Sequence, residues 1–254
     1  MSGSLLEVSS LQKRFQGLMA LDDVSFSLEQ GSITSLIGPN GAGKTTLFNC
    51  VTGMYTPSGG AIRFDGKEIA GLSAHLIARH GVARTFQNLA LFGGLTILEN
   101  LVVGAYFHGR SGLLQGALMT PSARREQRET EKAARETLAF LGMEHAAEMT
   151  PSELSYGQQK QIEFGRALMQ GGRLLLLDEP MAGMSAPEKS AMTALIRRVR
   201  RELGMCILIV EHDIPVIMDI SDKIVVLDFG KKIAEGLPHE VQTNPAVVSA
   251  YLGA

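Results

Sequence analysis

A glycine-rich run that ends in a lysine and two threonines has the clearest chemistry in the sequence. It reads GPNGAGKTT over residues 38–46 and matches the pattern G-x-x-x-x-G-K-[ST] at Gly38, Gly43, Lys44 and Thr45. Glycines let several backbone amides converge on one anion, and a helix that begins there adds its dipole. A lysine at this position reaches the β- and γ-phosphates of a nucleotide, and the threonine hydroxyl ligates Mg²⁺. The run therefore predicts a site for a nucleoside triphosphate such as ATP, with Mg²⁺ beside it. The other residues of this predicted phosphate loop are Pro39, Asn40, Gly41, Ala42 and Thr46.

A second run, LLLLDEP at residues 174–180, contains the metal anchor and the base that phosphoryl transfer to water needs. Its four leucines predict a buried strand that ends at Asp178 and Glu179, and ligands bind at that end of parallel strands. We expect Asp178 to hold the Mg²⁺ through water and Glu179 to orient or deprotonate the attacking water. Two adjacent acids are common on protein surfaces, so this pair indicates a catalytic site only because a phosphate loop precedes it in the chain.

A third stretch, LSYGQQKQIEFGRAL at residues 154–168, contains Ser155 and Gly157 where a helix is expected to start. The exposed amides of such a start form a second anion site, and one nucleotide does not need two in one chain. LSYGQQ resembles the signature motif of ATP-binding-cassette (ABC) ATPases, in which this serine and glycine close over the γ-phosphate bound to the other subunit. The resemblance implies that Ser155, Gly157 and Gln158 bind a nucleotide held by a second ATPase subunit.

Three further residues resemble functional positions of the same family. Gln87 in RTFQ matches its coupling glutamine, which also ligates the metal, and His212 in VEHD matches its switch histidine. Phe15 in KRFQG lies where an aromatic ring stacks on adenine. Without the resemblance, a lone histidine or phenylalanine is more often a core residue. The chain departs from the family at Ser185, where an Asn or Asp usually crosses the dimer interface.

The resemblance spans nearly the whole chain and is closest to the ATP-binding subunits of importers for branched-chain and other hydrophobic amino acids. GVARTFQNLALFGGLTILENLVVG, GLLQGALMTPSARREQRE and the tail GKKIAEGLPHEVQTNPAVVSAYLGA carry this finer match. It implies an ATPase at the cytoplasmic face of the inner or plasma membrane that works as a peripheral subunit. Its expected partners are a second ABC ATPase of the same or a sister chain, two transmembrane permease subunits and, indirectly, a solute-binding protein.

The strands and helices that must position these residues are predicted to form an α/β fold. Short β-rich runs fill residues 5–37, and Asp65-Gly66 predicts a hairpin turn. Later apolar strands alternate with helices, which indicates a parallel sheet, and a charged helix is expected from Ser122. The resemblance refines this to a P-loop NTPase of ABC type, with a mixed central sheet, an antiparallel β subdomain and a helical subdomain. We expect a single ATP-binding domain over residues 1–254, with the helical subdomain at roughly 88–165. One predicted helix has an apolar stripe formed by Met192, Leu195, Ile196, Val199 and Leu203.

Composition narrows the function further. The 254 residues are 45% hydrophobic and 20% charged with a net charge of −2, so no nucleic-acid partner is expected. The first residues resemble no secretory leader, and Cys50 and Cys206 lie in apolar segments, so we expect a cytoplasmic protein with reduced core cysteines. The longest apolar runs, LLLL and CILIV, are far shorter than the ~20 residues that span a bilayer.

Other functions remain open at this point. A related ABC ATPase could serve another solute such as urea or lipid, because the nucleotide-binding chain does not touch the cargo. A soluble ABC ATPase outside transport is a further alternative, although its long coiled-coil insertion or second cassette is missing from this sequence. A monomeric P-loop kinase or GTPase would lack the LSYGQ segment.

Overall fold

Two β-sheets form the framework of the computed structural model, which describes residues 4–85, 90–105 and 121–252. The first sheet is antiparallel, with the strand order β2-β1-β4-β5. The predicted turn at Asp65-Gly66 is confirmed, since both residues have positive φ angles (51° and 74°) between paired strands. These strands are β1 (Ser4–Phe15), β2 (Leu18–Glu29), β4 (Gly59–Phe64) and β5 (Lys67–Glu68).

The second sheet has the order β10-β9-β3-β8-β7-β6 and is parallel except for its β9–β10 hairpin. Its strands β3, β7 and β8 are buried along their whole length, as expected for a sheet covered on both faces. The six strands are β3 (Ile33–Ile37), β6 (Val82–Arg84), β7 (Leu174–Asp178), β8 (Cys206–Val210), β9 (Lys223–Asp228) and β10 (Lys231–Gly236).

Helices cover this sheet, and three of them pack on one another in a core that they share with strands β7 and β8. The charged helix expected from Ser122 is α4, which begins one residue earlier. Helices α3, α4 and α5 pack together closely, because a Cβ at Gly165 of α5 would lie 3.0 Å from Leu101 and 2.8 Å from Leu141. The helices are α1 (Lys44–Val51), α2 (Ala74–Arg79), α3 (Ile97–Gly104), α4 (Pro121–Leu141), α5 (Tyr156–Met169), α6 (Ala186–Leu203), α7 (Ile214–Ile220), α8 (Pro238–Gln242) and α9 (Pro245–Leu252).

Helix α6 corrects one detail of the expected apolar stripe. Ser185 precedes the helix as its N-cap, and Gly204 ends it in the left-handed conformation (φ 63°). Four stripe residues are buried, but Leu203 is 51% exposed because it is the last residue of the helix.

The pairing of the strands brings the candidate catalytic residues together at the C-terminal ends of the parallel strands in the second sheet. Asp178 of β7 pairs with Val210 of β8, so the residues that follow, Glu179 and Glu211, leave the sheet side by side. The phosphate loop follows β3, the neighbour of β8. No helix in the described ranges has the length and apolar character needed to span a membrane. Both cysteines are buried and free, as expected.

Candidate nucleotide-binding site

The glycine-rich loop between β3 and α1 has the conformation that its sequence predicts. Gly38, Gly41 and Gly43 have positive φ angles of 153°, 82° and 102°, a region that side chains disfavour. A Cβ at Gly43 would also lie 2.8 Å from the carbonyl oxygen of Ala20. The loop therefore needs glycine both for its turn and for close approach to β2, and it leads directly into the first turn of α1.

The side chain of Lys44 binds the backbone of its own loop. Its Nζ donates hydrogen bonds to the carbonyl oxygens of Gly38 (2.6 Å) and Pro39 (2.9 Å). Burial lowers the pKa of Lys44, while the charges of Glu179 and Asp178 oppose that shift. A cation held by the loop carbonyls, with the charges of two carboxylates near enough to affect its pKa, is placed to meet an added phosphate.

An open cleft of about 500 Å³ brings together many of the predicted site residues. Phe15 lies along it with residues 40–46 of the phosphate loop, and so do Glu179 and His212. The cleft therefore combines an aromatic side chain suited to a base with amides, a lysine and an acid suited to phosphates. Sequence reasoning did not identify five other residues that line it: Leu18, Met19, Ala20, Phe229 and Gly230.

Glu179 and His212 form a contact pair inside the cleft. The imidazole Nε2 of His212 lies 2.7 Å from Oε1 of Glu179, within hydrogen-bond distance, and donates to that carboxylate. Glu179 has a left-handed backbone conformation (φ 49°), which non-glycine residues rarely adopt and which is common at functional sites. The amide of Glu179 donates to the carbonyl oxygen of Val210 (2.9 Å), which ties this backbone to β8.

Asp178 lies behind the cleft in a buried ion pair that the sequence did not reveal. Its Oδ2 accepts a hydrogen bond from Nη2 of Arg84 at 2.8 Å, and both side chains are less than a tenth exposed. Nη1 of Arg84 donates to Asn49 (2.7 Å) and Thr52 (3.2 Å), both close to the end of helix α1. Arg84 therefore connects the acid of β7 to the helix that follows the phosphate loop.

We expect Arg84→Met to lower the free energy of unfolding by about 3 kcal/mol, because it leaves the buried Asp178 carboxylate without its cation. Urea denaturation measures this change. Arg63→Met is the matched control, since Arg63 pairs with Glu68 at the surface and such pairs contribute about 0–1 kcal/mol. Equal losses in the two variants would contradict a stabilising role for the buried pair.

The LSYGQ segment forms the start of α5, away from the described lining of the cleft. Ser155 caps this helix by accepting from the amide of Gln158 (3.3 Å), and Gln158 Oε1 accepts from the amide of Ser155 (2.9 Å). The amide of Gly157 donates to Oε1 of Glu188 at 3.2 Å, so a carboxylate occupies this helix start. Hydrogen bonds from Ser185, and further ones from Gly157 and Ser155, lower the pKa of Glu188. The remaining predicted residue, Gln87, lies outside the described residues.

A phosphate loop between a parallel strand and a helix, with an acid at the end of a nearby strand, defines the class of P-loop nucleoside triphosphatases. The chain belongs to the ABC transporter family, whose cassettes hydrolyse ATP. The family model described as ABC transporter matches residues 21–182. A second model, described as branched-chain amino acid ATP-binding cassette transporter, matches residues 231–254.

Similar proteins cover the whole chain. The high-affinity branched-chain amino acid transport ATP-binding protein BraF of Pseudomonas aeruginosa is 46% identical over 100% of this chain and 99% of its own length. The corresponding protein LivG of Salmonella typhimurium is 44% identical with the same coverage. A nucleotide-free ATP-binding cassette from an ABC transporter has a TM-score of 0.86 at 32% identity, over 99% of this chain and 100% of that one. A dimeric bacterial ABC transporter cassette has a TM-score of 0.77 at 25% identity, over 92% and 98%. The expected family and fold class are confirmed.

Proposed function

We propose that this chain is the ATP-hydrolysing subunit of an importer for branched-chain or other hydrophobic amino acids. The contact of Glu179 with His212 in a cleft lined by the phosphate loop carries the ATPase part of the proposal. The match of residues 231–254 and the full-length similarity to BraF and LivG support the transport part.

The proposed nucleotide site follows the cleft. Phe15 stacks on adenine, and the loop from Gly38 to Thr46 surrounds the phosphates, with Lys44 on the β- and γ-phosphates. The proposed protein ligands of Mg²⁺ are Thr45, Gln87 and Asp178, of which Asp178 acts through water. In proteins, Mg²⁺ usually has only a few side-chain ligands, because it keeps several of its waters and binds substrate phosphates directly. When bound, the ion would supply positive charge against the charge on the phosphates during transfer.

In the proposed hydrolysis, a water oxygen bonds to the γ-phosphorus while the bond from that phosphorus to the oxygen of the leaving ADP breaks, and Glu179 accepts the proton that the water loses. His212 donates a hydrogen bond to Glu179 and holds the carboxylate in place beside the phosphate loop. The mechanism therefore depends on a pair whose members follow neighbouring strands, β7 and β8.

We propose that two such subunits form a dimer around two nucleotides. Ser155, Gly157 and Gln158 of one subunit would bind the γ-phosphate held by the other subunit. The contact between Gly157 and Glu188 supports this role, because it places an anion at the amide that the phosphate would use. ATP would then stabilise the closed dimer through contacts with both chains.

The proposed complex contains a second ATPase subunit, which is the same chain or a sister chain, and two membrane permease subunits. A solute-binding protein delivers the amino acid to those permease subunits. This chain would lie peripherally at the cytoplasmic face of the membrane, as a single ATP-binding domain with its helical subdomain at roughly residues 88–165. The second ATPase could be identical or a sister chain.

Purification of the tagged protein from detergent-solubilised membranes, followed by mass spectrometry, tests the complex. We expect two polytopic membrane proteins among the captured chains. Recovery of the chain only from the soluble fraction with DNA-bound or ribosomal partners would contradict the transport role.

Uptake assays on cells that lack this chain test the cargo. We expect loss of radiolabelled leucine uptake with urea uptake unchanged, and recovery with the wild-type chain but not with Glu179→Gln. Loss of urea uptake alone would overturn the amino-acid assignment and favour the other solute.

A further inference from the structure

Glu211 is a buried acid that no sequence motif assigned to the site. It follows β8, immediately before His212, and is 5% exposed. Burial raises its pKa, and its two backbone hydrogen bonds oppose that shift. A carboxylate removed from water in this way needs partners, so its contacts show what holds it there.

The two oxygens of Glu211 bind two different loops. Oε1 accepts a hydrogen bond from the amide of Met181 at 2.8 Å, and Oε2 accepts from the amide of His212 at 3.1 Å. Met181 lies two residues after Glu179, so the first bond restrains the loop of the proposed base. The second bond restrains the backbone of the histidine that contacts this base.

Glu179 and His212 lie 33 residues apart in the chain, and their side chains meet at 2.7 Å. Backbone hydrogen bonding between β7 and β8 ends with the bond from the amide of Glu179 to the carbonyl oxygen of Val210, so the residues beyond this point need other links. Glu211 supplies one such link on each side.

We propose that Glu211 is a positioning residue that holds Glu179 and His212 in the geometry needed for hydrolysis. This inference rests on the proposed ATPase function and adds to it a residue that does not touch the nucleotide. Only a carboxylate presents two acceptor oxygens without a donor, so a glutamine at this position would turn its NH₂ group towards one of the two amides.

We expect Glu211→Gln to lower kcat for ATP about 10- to 100-fold, because small misplacements of reacting groups cost this much. The KM for ATP and the affinity for ADP should change less than about twofold, since the nucleotide contacts stay intact. Steady-state kinetics and isothermal titration with ADP measure both. Unchanged kcat in a folded Glu211→Gln protein would overturn the proposal.

Asp222→Asn is the matched control. Asp222 also accepts a backbone hydrogen bond, from the amide of Ile33 at 2.8 Å, but at the opposite end of the sheet. We expect this variant to lose stability without a change in kcat. Equal losses of kcat in the two variants would assign Glu211 a structural role only.

A double variant separates positioning from general stability. In a Glu179→Gln background the base is already absent, so adding Glu211→Gln should reduce the residual rate less than about threefold. The same factor in both backgrounds would contradict positioning of Glu179. If Glu211→Gln does not fold, Glu211→Asp keeps both acceptors on a shorter side chain, and wild-type kcat in that variant would overturn the proposal. Absence of ATPase activity in the wild-type complex would instead refute the proposed function.

Discussion

Replacing Glu179 by glutamine is expected to lower ATP turnover about 10³-fold while ATP binding stays close to the wild-type level. The amide has almost the volume of the carboxylate, and its oxygen can still accept the hydrogen bond from His212. It cannot accept the proton of an attacking water. The change therefore removes the base and leaves the cleft and its phosphate loop in place.

Single-turnover hydrolysis and isothermal titration with ATP separate these two effects. Glu148→Gln is a suitable control, because the Glu148 side chain is 76% exposed and its ion pair with Arg135 is on the surface. Near-normal hydrolysis by Glu179→Gln would show that another group takes the proton. Loss of ATP binding would show that Glu179 supports the shape of the cleft instead.

Local sequence patterns were sufficient to predict the phosphate loop and the strand that ends at Asp178. In both places the requirement is local, since the glycines must adopt positive φ angles and four leucines must fill a buried strand. The resemblance added Phe15 and His212, which the structure brings into the same cleft. Neither residue has a local pattern that distinguishes it from a core residue.

Arg84 and Glu211 could not be predicted in the same way, because their roles depend on contacts between distant segments. Arg84 meets Asp178 across 94 positions of sequence, and Glu211 meets Met181 across 30. In a sequence, an Arg or Glu next to an apolar strand is normally interpreted as marking the end of that strand. The roles of Arg84 and Glu211 could have been predicted only from a charged residue at a position that the sheet must bury.

The start of α5 shows how one sequence feature can serve two roles. Its amides were predicted to bind an anion, and here the amide of Gly157 binds the carboxylate of Glu188, which also completes the cap of α6. A Cβ at Gly157 would lie 2.2 Å from Oε1 of Glu188, so a larger residue there would displace the Glu188 side chain from its present contact. Under the proposed dimer, the γ-phosphate of the other subunit would compete with Glu188 for the amide of Gly157.

Lys44→Ala is expected to weaken nucleotide binding about 100-fold, a larger effect on affinity than any other single change in the cleft. Lys44 Nζ lies between the carbonyl oxygens of Gly38 and Pro39, and burial already lowers its pKa. Phosphate oxygens stabilise its charged form, so binding energy is lost when the amine is removed.

Isothermal titration with ADP and ATP measures the loss, and Lys231→Ala is the matched control. Lys231 pairs with Asp22 on the exposed side of the β9–β10 hairpin, so its removal should leave both affinities within about twofold of the wild-type values. The loss in Lys44→Ala should be greater for ATP than for ADP, because the lysine also reaches the γ-phosphate. Unchanged affinity for both nucleotides would contradict the phosphate-binding role, whereas equal losses would confine the lysine to the β-phosphate.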